Sequence, residues 1–154
     1  MNFSTSKLPA IIEAIIYIAY NGDANPVGGK KLAEIMGLNP RYLEPFLQNL
    51  VKYGVLHSAK GAKGGYSLIV SAKNLTIAQI CEIATGAQEK STDDGQSKLQ
   101  QIIIEPMFKM AENAYVKTLD NFSLHDLCEQ IKGKKLEHLL QSSNNDNNNL
   151  HYVI

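Results

Sequence analysis

Twenty residues, 29 to 48, constrain this chain more than any other stretch. Leu32, Met36, Leu38, Leu43 and Phe46 are apolar at offsets that give each of two successive helices one buried face, Ala33 is small, and Gly37 stands between the helices. Two helices that cross closely through a short turn need a small residue in the first, a glycine at the turn and apolar residues at fixed offsets. The first helix runs from about Gly29 to Met36, and Gly37 supplies the left-handed backbone that closes it. Asn39 followed by Pro40 has the form of an N-cap and first helical residue, so the second helix starts at Pro40. It runs to about Tyr53, where Gly54 ends it. Pro45 falls at the sixth helical position and removes a single backbone bond. The pattern is that of a helix-turn-helix.

Other elements surround this pair. Leu8, Ile11, Ile12, Ile15, Ile16 and Ala19 recur at helical spacing, which predicts an amphipathic core helix over Lys7 to Tyr20. The segment from Asn21 to Pro26 is turn chemistry. Val55 to Ser58 and Tyr66 to Val70 are short extended runs separated by a glycine-rich stretch, which predicts a two-stranded wing over residues 55 to 69. Thr76 caps a helix from Ile77 to about Thr85, with Ile77, Ile80, Cys81 and Ala84 on one face, so Cys81 is expected as a buried thiol. From Lys98 to about Leu119, Leu99, Ile102, Ile103, Met107, Met110, Ala111 and Ala114 repeat every three or four positions, predicting a long helix interrupted at Pro106. Such a helix outside a small core is a candidate dimer interface, packing within one chain being the alternative. A further short helix spans Ser123 to Ile131, with Leu124, Leu127 and Cys128 inward.

The expected fold class is therefore mainly α with a small two-stranded antiparallel wing: a winged helix-turn-helix plus a long dimerisation helix. The expected organisation is a winged helix-turn-helix domain over 1–85, a flexible loop over 86–97, the dimerisation helix and C-terminal short helix over 98–136, and an Asn-rich flexible tail over 137–154.

Composition narrows the function. The chain has 154 residues, 44% of them hydrophobic, with no apolar run approaching the roughly 18 residues needed to cross a bilayer, so no membrane association is expected. Met1 to Lys7 lacks the charged and apolar regions of a secretory signal, and a cytoplasmic location is expected. Cys81 and Cys128 are too few and too far apart for a disulfide framework or a four-thiolate metal site. The formal net charge of zero conceals an asymmetry: residues 1–73 carry eight Lys and Arg against four Asp and Glu, residues 74–154 seven against eleven. No acidic residue lies between Glu44 and Glu82, whereas Lys52, Lys60, Lys63 and Lys73 do. The basic half is the candidate for phosphate contact, the alternative being ordinary surface lysines.

In a helix-turn-helix the N-terminal residues of the second helix reach base edges in the major groove, which singles out Asn39, Arg41, Tyr42 and Glu44. Arg41 can bond a guanine edge or a phosphate. Glu44 either accepts from a cytosine amino group or is a solvated carboxylate. Gln48, one turn further, is placed to contact the backbone. Lys60 and Lys63 at the wing tip lie where a neighbouring minor groove or its phosphates would run. Tyr66 either packs under the wing or bonds a phosphate. The expected partner is double-stranded DNA. No nucleophile-base pair, carboxylate pair or phosphate loop appears, so an enzyme is not expected; Gly61 to Gly65 precedes a strand, not the helix a phosphate loop requires.

The run from Arg41 to Leu50, followed by Ser58 to Tyr66 and Leu75 to Ile80, resembles the Rrf-two family of bacterial transcription regulators, over roughly residues 3 to 130. The resemblance implies a homodimer joined through the long helix, acting as a repressor on a palindromic operator with one wing and one recognition helix per half-site. It places DNA contacts on Tyr42, Glu44, Ser58 and Lys60, the last being usually arginine in the family. Members that bind an iron-sulfur cluster supply three closely spaced cysteines from the loop ahead of the dimerisation helix. Residues 86–97 here contain none, so no cluster and no other cofactor is expected. His125 beside Asp126 reads as a surface histidine rather than a metal site.

One reading competes with a DNA-binding dimer, and one further feature stands beside either. A winged helix can serve as a protein–protein interaction module without DNA binding, which the zero net charge and acidic second half allow. The ending Leu150-His-Tyr-Val-Ile154 follows an asparagine tether and resembles tails ending in isoleucine by which serine acetyltransferases dock into a partner enzyme, so Ile154 is a candidate contact for a protein partner. A tail that packs on its own domain, or does nothing, is the alternative.

Overall fold

The computed structural model describes residues 7–21, 25–86 and 97–140. Its elements in chain order are α1 (Leu8–Asn21), α2 (Gly29–Ile35), α3 (Pro40–Lys52), β1 (Leu56–Ala59), β2 (Gly65–Leu68), α4 (Ile77–Thr85), α5 (Glu105–Asp120) and α6 (Leu124–Gly133). The architecture is mainly α with one two-stranded antiparallel sheet. Most of the flexible loop expected at 86–97, and the tail beyond Leu140 with its candidate partner contact at Ile154, lie outside the described residues.

Helix α1 is the hub. Leu8, Ile11, Ala14, Ile15, Tyr17 and Ile18 are buried along it, and around them close Leu32 and Ala33 of α2, Leu43, Leu47 and Leu50 of α3, and Ile77, Ile80, Cys81 and Ala84 of α4. A fully buried aliphatic side chain contributes about 1.5–3 kcal/mol, so this cluster dominates the stability of the domain.

The turn between α2 and α3 is fixed by local chemistry. Gly37 adopts φ 64°, its N–H donates to the Glu34 carbonyl at 3.1 Å, and the Leu38 N–H reaches back to the Ala33 carbonyl at 2.8 Å. This double closure satisfies carbonyls left orphaned at the helix end. Asn39 then caps α3, its side chain accepting from the Arg41 N–H at 3.0 Å, with Pro40 at the first helical position. The same closure ends α3: Gly54 takes φ 72°, and the Val55 N–H donates to the Leu50 carbonyl at 2.9 Å. That bond takes the Val55 N–H, and β1 begins at Leu56, one residue later than the sequence predicts, although the Val55 carbonyl still accepts from the Ile69 N–H at 3.1 Å. β2 correspondingly covers Gly65–Leu68 rather than Tyr66 to Val70, in a register that sets Ser58 opposite Tyr66 and Ala59 opposite Gly65.

The starts of α4 and α6 are tied together. Thr76 and Ser123 each form a reciprocal capping box, with Gln79 and Asp126 respectively. The two caps face each other, since the Ile77 N–H donates to the Phe122 carbonyl and the Leu124 N–H to the Leu75 carbonyl, both at 2.9 Å. Asp126 is thus a capping residue, and the Ser123 hydroxyl and N–H hold its carboxyl below the usual carboxylate range.

Two expectations are corrected. The long helix is not interrupted at Pro106: a π-helical turn over Gln100–Ile104 runs directly into α5, with the Glu105 N–H donating to the Gln100 carbonyl. Proline has no N–H to return and its ring crowds the carbonyl four residues back, so a widened turn ahead of it lets the helix continue. Residues 137–140, expected within the flexible tail, belong to the folded unit. They form a short 3-10 turn over Glu137–Leu139, and Leu140 is buried. Two donors of α1 pin this turn: the Tyr17 hydroxyl on the Leu139 carbonyl at 2.7 Å and the Asn21 amide on the Leu140 carbonyl at 3.0 Å.

Candidate nucleic-acid interface

Helix α3 divides its residues between two faces. Leu43, Leu47 and Leu50 are buried, while Arg41, Glu44 and Gln48, which recur at three and four residues, stand exposed on the opposite side. Arg41 is one residue into the helix and held there by the Asn39 cap. Asn39 is itself exposed, with its side-chain oxygen engaged in capping. Tyr42 is half-buried and meets Phe46 edge-on, with ring centroids 6.1 Å apart. Lys7 lies 5.8 Å over the Phe46 ring.

The wing places Ser58 exposed on β1 and Lys60 and Lys63 exposed in the connection to β2. Its shape depends on two glycines. A Cβ on Gly64 would lie 2.2 Å from the Ala59 carbonyl oxygen, and one on Gly65 would lie 2.5 Å from the Val27 carbonyl carbon. The close approach at Gly65 lets Val27 and Tyr66 exchange two backbone hydrogen bonds, both 2.9 Å. The wing is thereby stitched to the residue just ahead of α2.

Tyr66 joins three elements. Only 9% of it is exposed, its hydroxyl accepts from the Gln48 amide at 3.2 Å, and its ring edge packs over Gly29, where a Cβ would come within 3.2 Å. Of the two readings the sequence left open for Tyr66, this geometry has it packed under the wing. Gln48, expected to face the DNA backbone, spends a donor on that tyrosine. The structure therefore brings Asn39, Arg41, Glu44, Gln48, Ser58, Lys60 and Lys63 to the surface, Gln48 being tied to Tyr66, and leaves Tyr42 half-buried and Tyr66 beneath the wing.

Sequence reasoning passed over Lys30 and Lys31. Both are exposed in the first turn of α2 and line an open trough of about 620 Å³ between α2 and the wing, together with Ser58, Gly61 and Gly64. Two adjacent lysines behind the Gly28-Gly29 pair were the available signal.

The thiols do not fit an iron-sulfur cluster. Cys81 is fully buried on α4, and burial pushes its thiol up to about 11, the opposite of the thiolate a cluster needs. Cys128 sits half-buried on a separate helix, α6, and burial raises its thiol as well. Among the described residues no group of three or more His, Cys, Asp or Glu converges as a metal site. No helix of the described residues is long and apolar enough to cross a membrane.

Comparison with known proteins agrees with this architecture. The family model of the Rrf2 family, described as an iron-dependent transcriptional regulator, matches residues 4–130. Among curated relatives, the HTH-type transcriptional regulator slr0846 of Synechocystis, so described provisionally, is 26% identical over 125 residues, covering 80% of this chain and 85% of that relative. The HTH-type transcriptional regulator IscR of Escherichia coli is 24% identical over 126 residues, 80% of this chain and 78% of that one. Among solved structures, oxidized CymR of Staphylococcus aureus superposes with a TM-score of 0.61 at 28% identity over 84% of this chain and 97% of that one. T. potens IscR gives a TM-score of 0.65 at 24% identity over 88% and 91%, a likeness of fold. These relatives are transcriptional regulators rather than enzymes, and the winged helix-turn-helix is common to them. With its family model spanning most of its length, the chain belongs to the Rrf2 family of transcriptional regulators.

Proposed function

We propose that this regulator is a sequence-specific DNA-binding repressor that acts in the cytoplasm as a homodimer on a palindromic operator. The observation that carries the reading is the division of α3: an apolar face locked into the core and an opposite face presenting Arg41 and Glu44, with Ser58, Lys60 and Lys63 of the wing beside it. An exposed polar helix face of this kind fits the major groove, and a basic hairpin fits the adjoining minor groove or its phosphates. Asn39 and Tyr42 complete the groove-facing set, while Gln48 and Tyr66 brace it.

The dimer is supported by a second observation. Leu99, Ile102, Ile103, Met107, Phe108 and Met110 are all more than half exposed along the π turn, the residue ahead of it and the first half of α5, a run of large apolar side chains left in water of the kind that marks an interaction surface. The same chain carries a concave apolar counterpart between α1 and α6, lined by Pro9, Ile12, Ile16, Ile131 and Leu139. Two such surfaces on one molecule suit a two-fold pairing in which each copy supplies both.

The test is binding to a duplex from the region upstream of its own coding sequence, in titrations at several salt concentrations. The expected result is a discrete complex of two chains per duplex that outcompetes a scrambled duplex. Absence of any shift at low salt would overturn the reading in favour of a protein-interaction module.

A further inference from the structure

The trough between α2 and the wing is not accounted for by the recognition helix or the wing tip. We propose that it seats one strand of the DNA backbone, with Lys30 and Lys31 as its phosphate contacts. The inference rests on the DNA-binding reading and deepens it.

Three observations carry it. The first is charge and position: Lys30 and Lys31 line the trough with the exposed Ser58, and Lys60 and Lys63 stand on the hairpin that forms its far wall. Phosphates are the natural partners of such a cluster, since lysine contacts supply the sequence-independent part of DNA affinity. Glu34, one turn further along α2, is the acidic side chain in the lining. The second is continuity. Lys30 also lines a smaller cleft of about 200 Å³ with Pro40, Glu44 and Leu47 of α3, which adjoins the trough at Gly29, Lys30 and Tyr66. A strand lying in it would border the groove that α3 enters.

The third is an unexplained glycine. Gly28 has φ −65° and ψ 134°, an ordinary conformation for any residue, and a Cβ there would meet no atom within 4 Å. Nothing inside the fold requires glycine at 28, unlike Gly64 and Gly65. What the missing side chain does provide is a bare wall, against which a phosphodiester chain can approach the main chain closely.

The experiment measures the salt dependence of binding to the upstream duplex and to a scrambled one. Each phosphate contact contributes about 0.9 to the slope of log K against log salt, so the Lys30→Ala/Lys31→Ala double variant should lower the slope by about 2. Preference for the upstream duplex over the scrambled one should stay as in the wild type. Gly28→Asp is the second variant. Aspartate is a better N-cap than glycine, so the melting temperature should hold or rise, while the negative charge in the trough weakens binding to both duplexes alike. Glu34→Gln should move both affinities in the opposite direction. An unchanged slope in the double variant, with wild-type discrimination intact, overturns the inference alone. A wild-type protein that does not discriminate the two duplexes overturns the DNA-binding reading and the inference with it.

Discussion

Helix α3 and the first half of α5 are both amphipathic by sequence, yet only one of them is satisfied by its own chain. Leu43, Leu47 and Leu50 of α3 are buried, its start is capped by Asn39 and its end closed by the Gly54 turn, and apart from two prolines what remains exposed is polar. On α5 the apolar residues are the exposed ones, Met110 at 74% among them, and among its described residues none is fully buried. The C-terminal half of α5 does anchor, with Tyr115 and Leu119 packed against the core. The difference teaches that the helix-turn-helix buries its apolar face within one chain, whereas the first half of α5 leaves its own uncovered. A hydrophobic helix face left in water loses about 25 cal/mol for every Å² it fails to bury, which a second copy can recover.

The most severe way to break this comparison is to charge the bare face. Met107→Asp with Met110→Asp should convert the protein to a monomer in sedimentation, with α3 and its core untouched. Losing the second half-site should cut operator affinity by about 10²–10⁴-fold, the range by which linked sites exceed single ones. A double variant that stays dimeric would place the interface elsewhere.

The complementary change is made on the satisfied helix. Arg41→Ala removes an exposed side chain proposed to face the groove and should cost about 1–3 kcal/mol in operator binding while relaxing base preference at one position. Sedimentation should still show a dimer, and stability should move by no more than about 0.5 kcal/mol. Full retention of sequence preference would remove Arg41 from the reading set.

The junction between the regions offers a smaller effect. The Thr76 hydroxyl accepts the Gln79 N–H at 3.2 Å and donates to the Asp120 carboxylate at 2.8 Å, so one side chain caps α4 and ties it to the end of α5. Thr76→Ala should cost about 1 kcal/mol in chemical denaturation, as loss of a capping hydroxyl does. A change within experimental error would mean that neither bond contributes in solution.

Much of this was readable from residues alone, and the reason is local. Gly37, the Asn39-Pro40 pair, Gly54 and Thr76 each act through backbone groups within five positions, so their elements fall within a residue of expectation. What escaped involves distant partners or finer choices. The role of Tyr66 depends on Val27, Gly29 and Gln48, which only the fold assembles. No propensity distinguishes the wide turn before Pro106 from a break at it. Leu140 belongs to the core because Tyr17 and Asn21 of α1 hold the chain there, a match invisible next to the asparagine run. Of the residues proposed to face the groove, the N-terminal positions of α3 were legible from the motif. The trough lysines were not, because only the fold sets the wing opposite them.

The mildest prediction concerns how helices end. The closure that finishes α2 and α3 recurs at α6, where the Leu136 N–H donates to the Ile131 carbonyl at 2.9 Å and the Lys135 N–H to the Lys132 carbonyl at 3.0 Å. At α2 and α3 the left-handed position is a glycine; at α6 it is Lys135, with φ 54°. A side chain in that conformation costs about 1–2 kcal/mol, against about 0.5–1 kcal/mol of extra unfolded-state freedom for glycine. Lys135→Gly should therefore stabilise the protein by about 0.5–1 kcal/mol, leaving dimerisation and DNA binding unchanged. Gly54→Ala, the reverse change at the end of α3, should destabilise by about 0.5–1 kcal/mol on the same terms. If Lys135→Gly instead lowers stability, the lysine side chain makes a contact that outweighs its backbone strain, and the end of α6 is held by more than its closing turn.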